Sequence, residues 1–174
     1  ICVLPWVHLN IRPNGKVVQC CMTLDEKNYA GDLTTQSVEE VWNGTYMKTM
    51  RMQMLNGIEP EMCQRCFDEE RASGKSSRTF YNSFFADKFK EIPEITRPDG
   101  SLEKVDLKHW DFRFSNLCNF KCRVCGYDSS SGWLHDAKKL GWISGDEINT
   151  PNNVEYVNQI NYLEFLKKYL SSVE

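Results

Sequence analysis

Three cysteines, Cys118, Cys122 and Cys125, stand within eight positions of one another in the stretch "SNLCNFKCRVCG". Thiolates this close together suit zinc or iron-sulfur chemistry, and a closed site normally takes four ligands. This loop supplies three. In a four-iron cluster each iron needs one ligand beyond its sulfides, so three thiolates hold three irons and leave the fourth free for a small molecule. The other five cysteines, Cys2, Cys20, Cys21, Cys63 and Cys66, form an earlier group containing a second close pair, Cys63-x2-Cys66. Disulfide stapling belongs to small secreted domains, and close thiol pairs in a chain without secretory signals suit metal better.

The elements that must position these thiols follow from pattern. The runs "WVHLNIR" and "KVVQCC" have period 2 and flank Asn14-Gly15, whose residues tolerate the positive φ of a tight turn. They predict a β-hairpin that delivers Cys20 and Cys21 at its exit. "TTQSVEEVWNG" predicts a helix capped by Ser37 or a neighbouring threonine, with Val38, Val41 and Trp42 at helical spacing and Asn43-Gly44 as its stop. "TYMKTMRMQMLNG" repeats the pattern, and its methionines, Met47, Met50, Met52 and Met54, read as adaptable core filling rather than a thioether metal site. "EMCQRCFDEERASG" sets Cys63 and Cys66 on a tight turn entering a helix.

Residues 73–104 begin as an aromatic amphipathic helix and run into the loop signals Pro93, Pro98 and Asp99-Gly100, a helix and linker between two regions. The second region opens on "KHWDFRFSN", where Trp110, Phe112 and Phe114 alternate with Asp111 and Arg113 in a strand pattern. The three-cysteine loop follows directly. Then come "SSSGWLHDAKKLG", a serine-capped helix stopped by Gly141, and "NNVEYVNQINYLEFLKKYLSSV", a longer amphipathic helix. Arg113, Asp128 and Trp133 lie near the loop in sequence and read as structural; no side chain reads as a catalytic acid or base.

A strand running into C-x3-C-x2-C, as in "DFRFSNLCNFKCRVCG", resembles the signature loop of the radical S-adenosylmethionine enzymes. That resemblance implies a 4Fe-4S cluster on Cys118, Cys122 and Cys125, with S-adenosylmethionine chelating the open iron. It also implies reductive cleavage of the sulfonium to a 5'-deoxyadenosyl radical, with an electron donor such as a flavodoxin or a ferredoxin. Val124 stands where that family has an aromatic residue before the third cysteine, and the family's glycine-rich second-strand motif does not occur. The earlier group, "LPWVHLNIRPNGKVVQCC", "GDLTTQSVEEVWNG" and "CQRC", resembles the SPASM or twitch auxiliary-cluster domain. By that resemblance Cys2, Cys20, Cys63 and Cys66 hold a second, auxiliary 4Fe-4S cluster; Cys21 either replaces Cys20 there or is an ordinary buried thiol. Such domains accompany modification of peptides or proteins, which points to a peptide or protein substrate.

The fold expected is therefore α+β: a small auxiliary-cluster domain of hairpin plus helices at residues 1–72, a helix and linker at 73–104, and at 105–174 the first strand-loop-helix unit of an α/β partial barrel. The auxiliary domain usually follows the barrel, and here it precedes it. Only about 50 residues follow Cys125, and the chain starts on Ile1, so it reads as a piece of a longer protein. The rival reading is a non-catalytic zinc or iron-sulfur binding module, zinc at the later site recruiting His109 or His135 and at the earlier site forming a four-cysteine knuckle. A ferredoxin-like electron carrier needs four protein ligands at each cluster, and the later loop offers three.

A net charge of -3 with both signs interspersed gives no basic stripe for nucleic acid. No apolar run reaches the roughly 20 residues of a membrane span, and no leader pattern opens the chain. The expectation is a cytoplasmic protein with no membrane or nucleic-acid partner.

Overall fold

The computed structural model describes residues 1–23, 28–113, 115–127, 129–143 and 167–169. It is an α+β arrangement of short helices around one four-stranded sheet.

The chain opens with α1 (Leu4–Val7), whose early Pro5 sits where a helix needs no backbone donor. It passes straight into β1 (His8–Ile11), and β2 (Lys16–Val18) returns antiparallel with Asn10 opposite Val18 and Ile11 opposite Val17. Gly15, at φ 79°, supplies the left-handed residue of the turn, as the Asn-Gly signal predicts. A two-residue strand, β3 (Gly31–Asp32), extends the sheet beyond β2 and is pinned by Lys16 Nζ on Asp32 at 2.6 Å.

Helix α2 (Val38–Trp42) starts on Ser37, whose hydroxyl accepts from Glu40 N–H while the Glu40 carboxylate accepts from Ser37 N–H. That reciprocal pair satisfies two otherwise orphaned donors. In α3 (Thr45–Leu55), Met47, Met50 and Met54 are buried and Met52 is half-buried, so the methionines do fill the core. A 3-10 turn (Glu61–Cys63) leads into α4 (Gln64–Ser73), followed by α5 (Ser77–Phe84) and α6 (Ala86–Ile95). Pro93 lies inside α6, where the sequence predicts a loop. It falls in the last turn, so its missing N–H removes a single bond near a helix end, and the helix survives.

The strand predicted at "KHWDFRFSN" forms as β4 (His109–Phe112), and it pairs parallel with β1, His8 opposite His109 through to Ile11 opposite Phe112. The sheet order is β3-β2-β1-β4. The range 105–174 thus begins inside the sheet that the first residues build. This pairing also explains why β1 is buried at all four positions rather than at alternate ones. Leu9 and Ile11 enter the core with Trp6, Val17, Trp42 and Leu107, while Asn10 Nδ2 on the other face donates to Asp111 of the neighbouring strand. A final helix, α7 (Leu134–Lys139), ends at Gly141 as expected. The longer helix expected toward the C-terminus lies outside the described residues except at 167–169; Tyr169 faces Trp110 and donates to Glu39 at 2.7 Å. Phe114 and Asp128 lie outside the described residues. No helix among those described is long and apolar enough to cross a membrane.

His8 is buried against His109, and its Nδ1–H donates to the His109 carbonyl at 2.9 Å. Desolvation, with the second imidazole nearby, pulls its pKa down to about 4. The unfolded chain then binds a proton between pH 6.5 and about 4 that the folded chain refuses, so stability is full above pH 6.5 and falls as pH drops through that window. Urea unfolding at pH 7 and pH 5 is expected to differ by about 2 kcal/mol from this residue alone. His8→Gln, which can still donate to the carbonyl, should remove that part of the slope; an unchanged slope would place the proton uptake elsewhere.

Candidate metal centres

The earlier cysteines come from four separate elements. Cys2 precedes α1, Cys20 follows β2, Cys63 ends the 3-10 turn and Cys66 lies in the first turn of α4. Each is within electrostatic range of the other three. Burial pushes the Cys2 thiol up to about 12 and the Cys20 thiol up to about 11, and raises Cys63 and Cys66 as well. As free thiols these groups hold their protons at neutral pH, so a metal that binds them must displace protons and supply the compensating charge.

Backbone donors already face the sulfurs. The backbone N–H groups of Leu4, Met22 and Arg78 lie near Cys2, Cys20 and Cys66 respectively and favour their thiolates, and the Thr23 hydroxyl lies 3.9 Å from Cys20 Sγ. Such donors stabilise thiolates and tune a cluster they ligate. The donor set thus fits a cysteine-held cluster. Cys21 is exposed, while Cys20 is half-buried and within electrostatic range of the other three.

Among the described residues no group of three or more His, Cys, Asp or Glu side chains stands at the spacing of a single metal ion. A multi-iron cluster, with sulfides between its irons, spreads its thiolates wider than one ion does. Neither histidine of the zinc alternative joins a thiol cluster: His109 packs against His8 and Tyr81, and His135 is exposed beside Asp136.

Helix α5 brackets Cys2. Asn82 Oδ1 accepts from Val3 N–H at 2.7 Å, and the Ile1 carbonyl accepts from Asn82 Nδ2 at 3.0 Å and from Arg78 Nη1 at 2.8 Å. The peptides on both sides of the cysteine are thereby fixed to one helix. Sequence reasoning missed Arg78 and Asn82, because nothing local marks a helix some 80 positions away as the support for Cys2.

The later loop is built differently. Its three cysteines follow β4, Cys122 being exposed and Cys118 and Cys125 half-buried. The carbonyls turn into the segment 130–133: Cys118 O accepts from Gly132 N–H at 3.0 Å, Phe120 O from the Ser130 hydroxyl at 2.6 Å, and Cys122 O from the Trp133 indole at 3.2 Å. Ser131 Oγ accepts from Cys118 N–H at 3.1 Å. A side chain at Gly132 would meet the Phe120 and Cys118 carbonyls at 3.1 and 3.2 Å, so glycine permits this close approach. In trans peptides, carbonyls facing the turn aim the N–H groups of residues 119, 121 and 123 the opposite way, which leaves them turned from the 130–133 segment. Trp133, structural by sequence, is therefore part of the loop's support, as is the Ser-Ser-Gly run, whose signal resembled a helix cap. Phe120 and Val124 are exposed.

Comparison with curated proteins gives no match, nor does comparison with solved structures. A protein-family model does match. Residues 2–67, which contain Cys2, Cys20, Cys63 and Cys66, are similar to the SPASM iron-sulfur cluster-binding domain.

Proposed function

We propose that this chain is part of a radical S-adenosylmethionine enzyme carrying two iron-sulfur centres. The observation that carries the reading is the pairing of two unequal sites in one fold: a four-thiol site inside the region similar to a cluster-binding domain, and a three-thiol loop at the end of β4. Cys2, Cys20, Cys63 and Cys66 hold an auxiliary cluster with every iron ligated. Cys118, Cys122 and Cys125 hold a 4Fe-4S cluster with one iron open to S-adenosylmethionine. Once bound and reduced there, that cluster supplies the electron that cleaves the cofactor's carbon-sulfur bond.

The chain's own part is to position and tune. Ser130, Ser131, Gly132 and Trp133 hold the loop's peptide planes, and so fix the positions from which its three thiolates would bind. The substrate class that fits an auxiliary-cluster domain is a peptide or protein, and a flavodoxin or ferredoxin is the matching electron donor; both rest on analogy.

Anaerobic reconstitution should load about eight irons per chain, two four-iron clusters. Adding S-adenosylmethionine to the reduced sample should shift one EPR signal and leave the other. Zinc in place of iron, or two signals that both ignore the cofactor, would reduce the chain to a metal-binding module.

A further inference from the structure

We infer that the Arg78–Glu70 ion pair sets the reduction potential of the auxiliary cluster and fixes its ligand geometry, from helices at and beyond the edge of the region similar to a cluster-binding domain. The inference rests on the assignment of a cluster to Cys2, Cys20, Cys63 and Cys66.

The geometry is that of a clamp between two ligand-bearing segments. Arg78 Nη1 donates to the Ile1 carbonyl at 2.8 Å, next to Cys2. Its Nε donates to Glu70 Oε1 at 2.9 Å and its Nη2 to Glu70 Oε2, and Glu70 lies one turn beyond Cys66 on α4. The guanidinium also lies 4.5 Å from the ring centre of Phe67, the residue after Cys66. Its own backbone N–H lies close enough to Cys66 to favour the thiolate. One residue thus bonds the N-terminal ligand segment and the helix carrying Cys66. Glu70 also accepts from the Ser76 hydroxyl at the cap of α5, which fixes the carboxylate on the side of the arginine.

The charges are unequally placed. Arg78 acts on Cys2, Cys63 and Cys66, whereas Glu70, together with the more exposed Glu69, acts on Cys66 and opposes it there. The Arg78 and Glu70 side chains are mostly shielded from water, so their fields are weakly screened. Four thiolates make the occupied site anionic, and reduction adds one more negative charge. A nearby cation favours the reduced cluster and a nearby carboxylate disfavours it. Arg78 therefore raises the potential and Glu70 lowers it, and the arginine reaches more of the ligands.

The test is a redox titration, followed by EPR, of the anaerobically reconstituted full chain and its Arg78→Gln, Arg78→Lys and Glu70→Gln variants. Arg78→Gln is expected to shift the auxiliary midpoint to more negative potential, and Arg78→Lys to retain most of the wild-type value. Glu70→Gln keeps an oxygen that accepts from Arg78 and Ser76 but loses the charge, so it should shift the midpoint the opposite way. The signal of the other cluster should stay put in all three. If Arg78→Gln does not hold a cluster, the sign in Glu70→Gln still decides. Shifts of one sign in both glutamine variants, or no shift with iron content intact, would overturn the proposal. A wild-type chain without an auxiliary signal, while the three-cysteine loop keeps its own, would overturn the cluster assignment and this inference with it.

Discussion

The double substitution Cys63→Ala, Cys66→Ala is expected to take the reconstituted chain from about eight irons to about four and to leave the S-adenosylmethionine-responsive EPR signal in place. The two residues flank the junction of the 3-10 turn and α4, and with both gone two thiolates remain, too few to hold a four-iron cluster. The loss also reaches stability. Cys66 is buried and Cys63 half-buried, and desolvation raises both pKa values, so the folded metal-free chain keeps them neutral, and cluster binding to the folded state alone adds its free energy to folding. The reconstituted variant should therefore melt close to the metal-free wild type, well below the loaded wild type. The three-cysteine loop, braced by residues 130–133 rather than by α4, should be unaffected. If both signals vanished together, the two sites could not be independent; if the iron count stayed near eight, Cys63 and Cys66 would not be ligands.

How much of this was readable from the chain depends on the range of the interactions. The hairpin was legible because Asn14-Gly15 acts within its own turn, and α2 because Ser37 and Glu40 cap it locally. The cysteine groupings were legible because metal-ligand spacing is a local signal. The parallel pairing of β1 with β4 was not, since it joins residues 101 positions apart and neither strand's composition names its partner. Strand β3 is only two residues long, below the length at which alternation is visible. Pro93 misled because its effect depends on where in a helix it falls. The supports of the sites, Arg78 and Asn82 for Cys2 and the Ser-Ser-Gly-Trp run for the loop carbonyls, act on distant backbone carbonyls that the sequence pattern does not display.

Arg51 is the largest such case, and its replacement by methionine is expected to destabilise the chain by about 3 kcal/mol. The side chain is fully buried in α3, a position whose helical spacing matches the methionines of the core. Its Nε donates to Pro5 O at 2.9 Å and its Nη1 to Gly100 O at 3.2 Å, and its guanidinium lies 4.8 Å from the Trp42 ring centre. Among the described residues no carboxylate pairs with it, and Nη2 finds no partner. Two effects compete. Methionine relieves the burial of an unpaired charge, which desolvation penalises enough to lower the arginine's pKa. It also strips the donors from two carbonyls, at about 1–3 kcal/mol each, and a cation from the indole face, at about 1–2 kcal/mol. The loss outweighs the relief because the carbonyls belong to α1 and to the turn at 97–102 and cannot turn to water. Arg51→Lys should recover little, since an ammonium on a shorter reach cannot bridge both oxygens. The damage has a direction: Pro5 lies in the helix that starts two residues after Cys2, so iron at the earlier site should be lost faster than iron at the three-cysteine loop. Urea unfolding with chelator-challenged iron counts reads both effects. A methionine variant as stable as wild type would mean that burying the charge costs as much as its hydrogen bonds return.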